Sequence, residues 1–195
     1  MAALGIRDKN LRVLLVILSF IATVSWAEPR VIEKNVFYEI SPKSKNGFLR
    51  EINSKTPISK ANKKFHGHTN TYIKWRFWWS EKQGYCRMNR VEVDLEVTFT
   101  MPKITNVNIE VFEVWSAWYP NLENHENGHK AIGMEVARKI ETGLRRLRSR
   151  SCSDIEAKAN EYGDNMIKRM REMHQMNDAK TNHGETEGAF LSDHL

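Results

Sequence analysis

The strongest constraint on how this chain folds is the stretch at residues 120–147. Leu122, His125, His129, Ile132, Val136, Ile140, Leu144 and Leu147 recur there at spacings of three and four. They therefore share one face of a helix roughly 30 residues long. Pro120 suits the first turn of such a helix. A long helix with one apolar face must be covered by a second layer. The two histidines on that face need polar partners, because burying unpaired polar groups is costly.

The covering layer is legible upstream. Residues 90–101 (RVEVDLEVTFTM) alternate, with Val91, Val93, Leu95, Val97, Phe99 and Met101 opposite Glu92, Asp94, Glu96, Thr98 and Thr100. Residues 69–79 set Ile73, Trp75 and Phe77 against Tyr72, Lys74 and Arg76, and residues 31–40 read as a further strand. One dry face and one wet face is the habit of an antiparallel sheet. Pro102 is expected to end the alternating strand, and residues 47–54 to form a short helix. Downstream, Ser153-Asp154-Ile155-Glu156 has the form of a capping box. It opens a second helix whose stripe is Ile155, Ala159, Tyr162, Met166, Met170 and Met173, a pattern of core packing. The expected fold is α+β: an antiparallel sheet against the long histidine-bearing helix and a second helix antiparallel to it. With no internal repeat or linker, residues 28–195 are expected to form one domain.

Residues 1–27 stand apart. Arg7, Lys9 and Arg12 precede an apolar run at 13–24 and then Ser25-Trp26-Ala27, the pattern of a secretory signal peptide cut before Glu28. The run is shorter than the roughly 20 residues of a membrane-spanning helix. The mature chain is expected to be exported, periplasmic or extracellular, without stable membrane insertion. Losing three bases and one acid takes its net charge from +6 to +4, with the charges interspersed. The one basic run, residues 145–150, reads as the cation-rich end of a helix, and no nucleic-acid partner is expected. Cys86 and Cys152 are an even pair outside any CxxC, expected to form one disulfide on export.

Within the long helix His125, Glu126 and His129 spell H-E-x-x-H. Helical residues four apart differ by about 40° around the axis, so both imidazoles point the same way with β-carbons roughly 6 Å apart. That suits ligation of one zinc ion at about 2.0–2.1 Å. Glu126 lies about 100° round from His125, placed to take a proton from a water at the ion's open position.

Residues along most of the mature chain carry a resemblance. Tyr38, then Thr71 and Trp75, then Cys86 leading into the strand that closes on Met101-Pro102, Trp115, the HENGH segment, and a D-x-x-T-x-H-G ending at Asp178, Thr181, His183 and Gly184 follow in a specific order. The chain resembles in this a bacterial domain-of-unknown-function family of predicted secreted zinc-dependent proteases. Asn177 stands where that family usually has Tyr, and Glu187 where it usually has Gln. The resemblance implies zinc hydrolysis by an exported protein.

A catalytic zinc generally keeps three protein ligands. Ile132 and Glu135 stand where a metzincin needs Gly and His, and Glu135 is turned about 240° from His129. Glu161 would lie about 21 Å along the axis from the metal if the helices fold back near residue 151. The segment after the second helix returns to the right height, so the expected third ligand is His183, with Asp178 the alternative. Whichever does not ligate could hold a ligand's second nitrogen. Tyr119 and His174 are lesser candidates for stabilising an oxyanion, and the His66/His68 pair lacks a neighbouring Cys or acid to complete a second site.

The sequence thus points to a secreted zinc peptidase with one zinc per chain. His125, His129 and His183 would hold the ion, Glu126 would act as base, and the substrate would be a protein or peptide added to a sheet edge. A binding module with a closed structural zinc, or an amidase acting on cell-wall peptides, would use the same ligands. Glu126 favours the enzymes, since a structural site has no need of it.

Overall fold

The computed structural model describes residues 28–195 apart from residue 61, so the segment read as a signal peptide lies outside the described residues. The chain opens with strand β1 (Arg30–Ile40), followed by helix α1 (Lys45–Lys55), which Ser44 caps and which buries Phe48 and Ile52. Strands β2 (Ser59–Lys60) and β3 (Lys63–Lys64) make a small antiparallel hairpin. The long strands β4 (His68–Lys82) and β5 (Tyr85–Ile104) pair antiparallel through a tight turn. Gln83 and Gly84 hold φ of 57° and 75° there, the left-handed pair that matches a hairpin's twist.

The main sheet has the order β1-β5-β4 and is mixed, not antiparallel as the alternation suggested: Leu95 of β5 sits opposite Ile73 of antiparallel β4 and Val31 of parallel β1. Connectivity is the reason. After β1 the chain passes through α1 and the small hairpin and starts β4 at the same end of the sheet, since Val36 of β1 and His68 of β4 both pair with Thr100, so β4 runs back along the sheet. Returning from β4, β5 then slots between the two and runs with β1.

Alternation on β5 is as the sequence implies, with Val91, Val93, Leu95, Val97, Phe99 and Met101 buried. Pro102 does not end the strand. It pairs with Tyr38 on β1, and pairing continues to Ile104. On the wet face Arg30 donates two 2.9 Å hydrogen bonds to Asp94, which its neighbours almost cover.

Helix α2 (Ile109–Arg146) is 38 residues long and starts well before Pro120. Asn108 caps it by accepting from the Val111 amide at 2.9 Å. Pro120 lies inside the helix, where it leaves one carbonyl without its i+4 partner and costs about 3 kcal/mol. Val111, Val114 and Trp118 extend the apolar stripe upstream and are buried. At about 1.5–3 kcal/mol for each buried side chain, they outweigh the lost bond.

Strand β6 (Arg148–Ser149) pairs with the start of β5, and helix α3 (Cys152–Thr181) then packs back along α2. Its cap is Ser151, which accepts from the Ser153 amide, so Ser153 is the first turn and not the cap. The Cys86–Cys152 disulfide ties β5 to the first residue of α3. Two 3₁₀ turns, Glu185–Glu187 and Leu191–His194, close the chain, and Trp118 Nε1 donates to the Ala189 carbonyl at 2.8 Å. None of the described helices is long and apolar enough to cross a membrane.

Candidate metal centre

His125, Glu126 and His129 are buried where α2 faces the sheet and α3. The i,i+4 spacing brings the imidazoles together, with ring centroids 5.0 Å apart and planes nearly perpendicular. Both Nε2 atoms converge on Asp178 Oδ1, His129 at 3.1 Å and His125 at 3.7 Å. One donor atom from each of these residues lies within 4.8 Å of the other two, the one group of metal-ligating type found among the described residues.

Of the two residues considered for a third ligand, His183 and Asp178, the structure brings Asp178 and not His183 into the group with the two imidazoles. Helix α3 runs on to Thr181, so His174 and Asp178, four apart, share the helical face turned toward α2. Beyond it Asn182, His183 and Gly184 take φ of 48°, 56° and 92°, reversing the chain. His183 is thereby swung out against Phe65, its side chain 46% exposed, with Nδ1 3.8 Å from the other Asp178 oxygen.

The other nitrogen of each α2 histidine is engaged. His125 Nδ1 donates to Glu187 Oε2 at 2.8 Å. His129 Nδ1 meets His174 Nδ1 at 2.9 Å, and His174 Nε2 meets Thr71 Oγ1 of β4 at 3.1 Å. Burial pushes the pKa of His129 down to about 4, against the opposing pull of Asp178. A neutral imidazole is the form that ligates a metal. Two imidazoles and one carboxylate, with outer nitrogens oriented, is a donor set that fits zinc.

Glu126 is 4% exposed. Its Oε2 accepts from Thr69 Oγ1 at 2.6 Å, and the same hydroxyl reaches the Glu126 carbonyl at 3.1 Å. Burial raises its pKa most; Thr69 and His125 oppose that, and Asp178 adds to it. Gly67 keeps room beside Oε1, since a β-carbon there would lie 2.8 Å from that oxygen.

A cleft of about 600 Å³ opens beside the group, between β4 and α3. Consecutive residues from His68 to Ile73 line it, so the strand's edge faces it. Among the described residues that edge has no partner strand. Ile167, Met170 and His174 form the opposite wall, and His129 and Asp178 border it. Tyr119 does not line this cleft: its ring stacks on Trp115 at 4.4 Å. His66 precedes β4, so it does not share a strand face with His68; its Nε2 contacts Asn53 Oδ1 at 2.8 Å, while His68 borders the cleft.

Residues 35–184 match the family described as "Bacterial protein of unknown function (DUF922)". The chain belongs to this family. No curated protein and no solved structure matches it. The match contains both histidines, Glu126, His174 and Asp178, whereas Glu187 lies beyond its end. The family's description assigns no activity.

Sequence reasoning missed three of the site's partners. Thr69 looked like an ordinary strand residue, Thr71 stood out only through the family resemblance, and Glu187 only as a departure from it. His174 and Asp178 carried a usable signal, the same i,i+4 spacing as His125 and His129.

Proposed function

We propose that the chain is a zinc-dependent peptidase that binds an extended peptide along the free edge of β4. The observation that carries this reading is the convergence of His125 Nε2, His129 Nε2 and Asp178 Oδ1 beside a buried Glu126 and a cleft bordered by a strand edge. Those three residues would hold the ion. Bound there, zinc would act as a Lewis acid toward water and the peptide carbonyl.

The residues themselves do the rest. Glu126 accepts the proton of the attacking water through Oε1, while Thr69 fixes the carboxylate through Oε2. Burial makes this carboxylate a stronger base than an exposed one. The backbone of β4 offers unpaired amide and carbonyl groups to a peptide main chain, the β-addition mode of recognition. Such binding depends little on side-chain identity, and it suits an unfolded segment.

The deciding experiment is Glu126→Gln, an isostere that cannot take up the proton. The variant is expected to retain one zinc per chain and to lose hydrolysis of a denatured protein substrate by about 100-fold or more. Activity equal to wild type would remove the peptidase reading. A wild-type protein that holds zinc yet cleaves no peptide would instead mark the ion as structural.

A further inference from the structure

We propose that His174 and Thr71 are positioning residues that hold His129 in the tautomer able to ligate a metal. The inference deepens, and rests on, the metal-centre reading above. The two α2 histidines are oriented by different means. His125 Nδ1 faces the Glu187 carboxylate, which only accepts, so its proton is fixed on that side by charge. His129 Nδ1 faces another imidazole nitrogen at 2.9 Å, and of two such nitrogens one must carry a proton and the other a lone pair. Which carries it depends on what lies behind His174.

Behind it lies Thr71. Its Oγ1 is 3.1 Å from His174 Nε2 and 3.8 Å from Met170 Sδ. With the hydroxyl proton directed at sulfur, the oxygen accepts from His174 Nε2–H. The Nδ1 of His174 is then bare and accepts from His129 Nδ1–H. A neutral His129 then turns its Nε2 lone pair to the group, against the Asp178 carboxylate 3.1 Å away, which in the absence of an ion favours a proton on Nε2. Run in reverse, the same contacts would set His129's proton on Nε2, pointing at Asp178 and closing the ligand position. The order of protons along Thr71, His174 and His129 therefore decides whether the donor set can form.

The test uses the mature full chain, zinc itself as the probe, competition with a chelator for affinity, and long-range proton–nitrogen correlation of the imidazoles in the zinc-loaded protein. His174 is expected to be protonated at Nε2 and bare at Nδ1. His174→Ala should weaken zinc binding by about 10–100-fold. His174→Asn, whose Oδ1 stands in for Nδ1 as acceptor, should return to within about fivefold of wild type. Thr71→Val, similar in shape but without an acceptor, should weaken binding several-fold, and Thr71→Ser should restore it. A proton on His174 Nδ1, or His174→Ala binding zinc within about twofold of wild type, overturns the proposal and leaves the metal centre standing. A wild-type chain without zinc affinity overturns both. Should His174→Ala fail to fold, the wild-type tautomer and the Asn and Thr71 variants still decide.

Discussion

His66 is a half-buried imidazole outside the metal group, held by Asn53 and set edge-on to Trp118, and burial alone pushes its pKa down to about 4. In the unfolded chain the same ring titrates near 6.5. Between pH 6.5 and 4 the unfolded state therefore binds the extra proton, and stability falls as pH drops through that window. His66→Gln keeps a donor for Asn53 and removes the titration. Between pH 7 and 5 the variant should lose less stability than wild type, by at most about 1.4 kcal/mol per pH unit in slope. Urea unfolding at the two pH values reads the difference, and parallel losses in the two proteins would contradict the assignment. At this scale the sequence was legible where the geometry is local. His125, Glu126 and His129 are placed by helical periodicity alone, and the structure brings them together. That Asp178 and not His183 lies beside the imidazoles was not legible, because it turns on three consecutive left-handed residues after Thr181. Two of them, Asn182 and His183, are not the glycine that ordinarily announces such a turn.

Element directions and ends depend on features with weaker sequence signatures. The Cys86–Cys152 bridge is a case where one irregularity makes an element usable. Odd-numbered residues of β5 from Val91 to Met101 face the helices, so strict alternation would point Cys86 to the wet face. A bulge shifts the pairing between Trp78 and Trp79, so that Trp78 faces Arg90 and Trp79 faces Met88. The extra residue, Asn89, reverses the alternation, and Met88 and Cys86 become buried on the dry face where α3 begins. The pairing of the two cysteines could be read from their number, while the bulge that lets them meet could not. With a sequence separation of 66, the closed loop corresponds to about 4 kcal/mol on the chain-entropy model. Cys86→Ala with Cys152→Ala should therefore lower unfolding stability by about 2–5 kcal/mol. Reduction of the wild-type chain should lower the urea midpoint comparably, and an unchanged midpoint would mean that the bridge restrains nothing. The parallel direction of β1 was hidden for a related reason. Pairing partners follow from the route of the chain through α1, and no local pattern in residues 31–40 encodes that route.

Across the whole molecule, the metal group joins α2 to the far half of α3, and α3 is positioned by close contact with the sheet. Gly163 of α3 lies against Trp75 of β4: a β-carbon there would come within 2.4 Å of Cζ2 and 2.6 Å of Cε2. The ring is not free to swing away, because its Nε1 donates to Asn160 Oδ1 at 3.2 Å. Gly163→Ala therefore forces α3 off β4 or drags the ring with it. Overpacking of this kind costs about 1–3 kcal/mol, so a lower melting temperature is expected in either case. The two cases differ at a distance. Asp178 lies about 22 Å further along α3, and a helix tilted at Gly163 carries Asp178 and His174 away from His129. The contact distances there, 3.1 and 2.9 Å, leave little slack. If sheet and helices act as one rigid frame, Gly163→Ala should weaken zinc binding by about tenfold, comparable to losing an orienting partner, although no ligand is touched. Chelator competition and a melting curve on the same protein separate the outcomes. Lower stability with unchanged zinc affinity would show that the layers yield locally at Trp75, and that the metal group is held by the last turns of α3 and the α2 face alone.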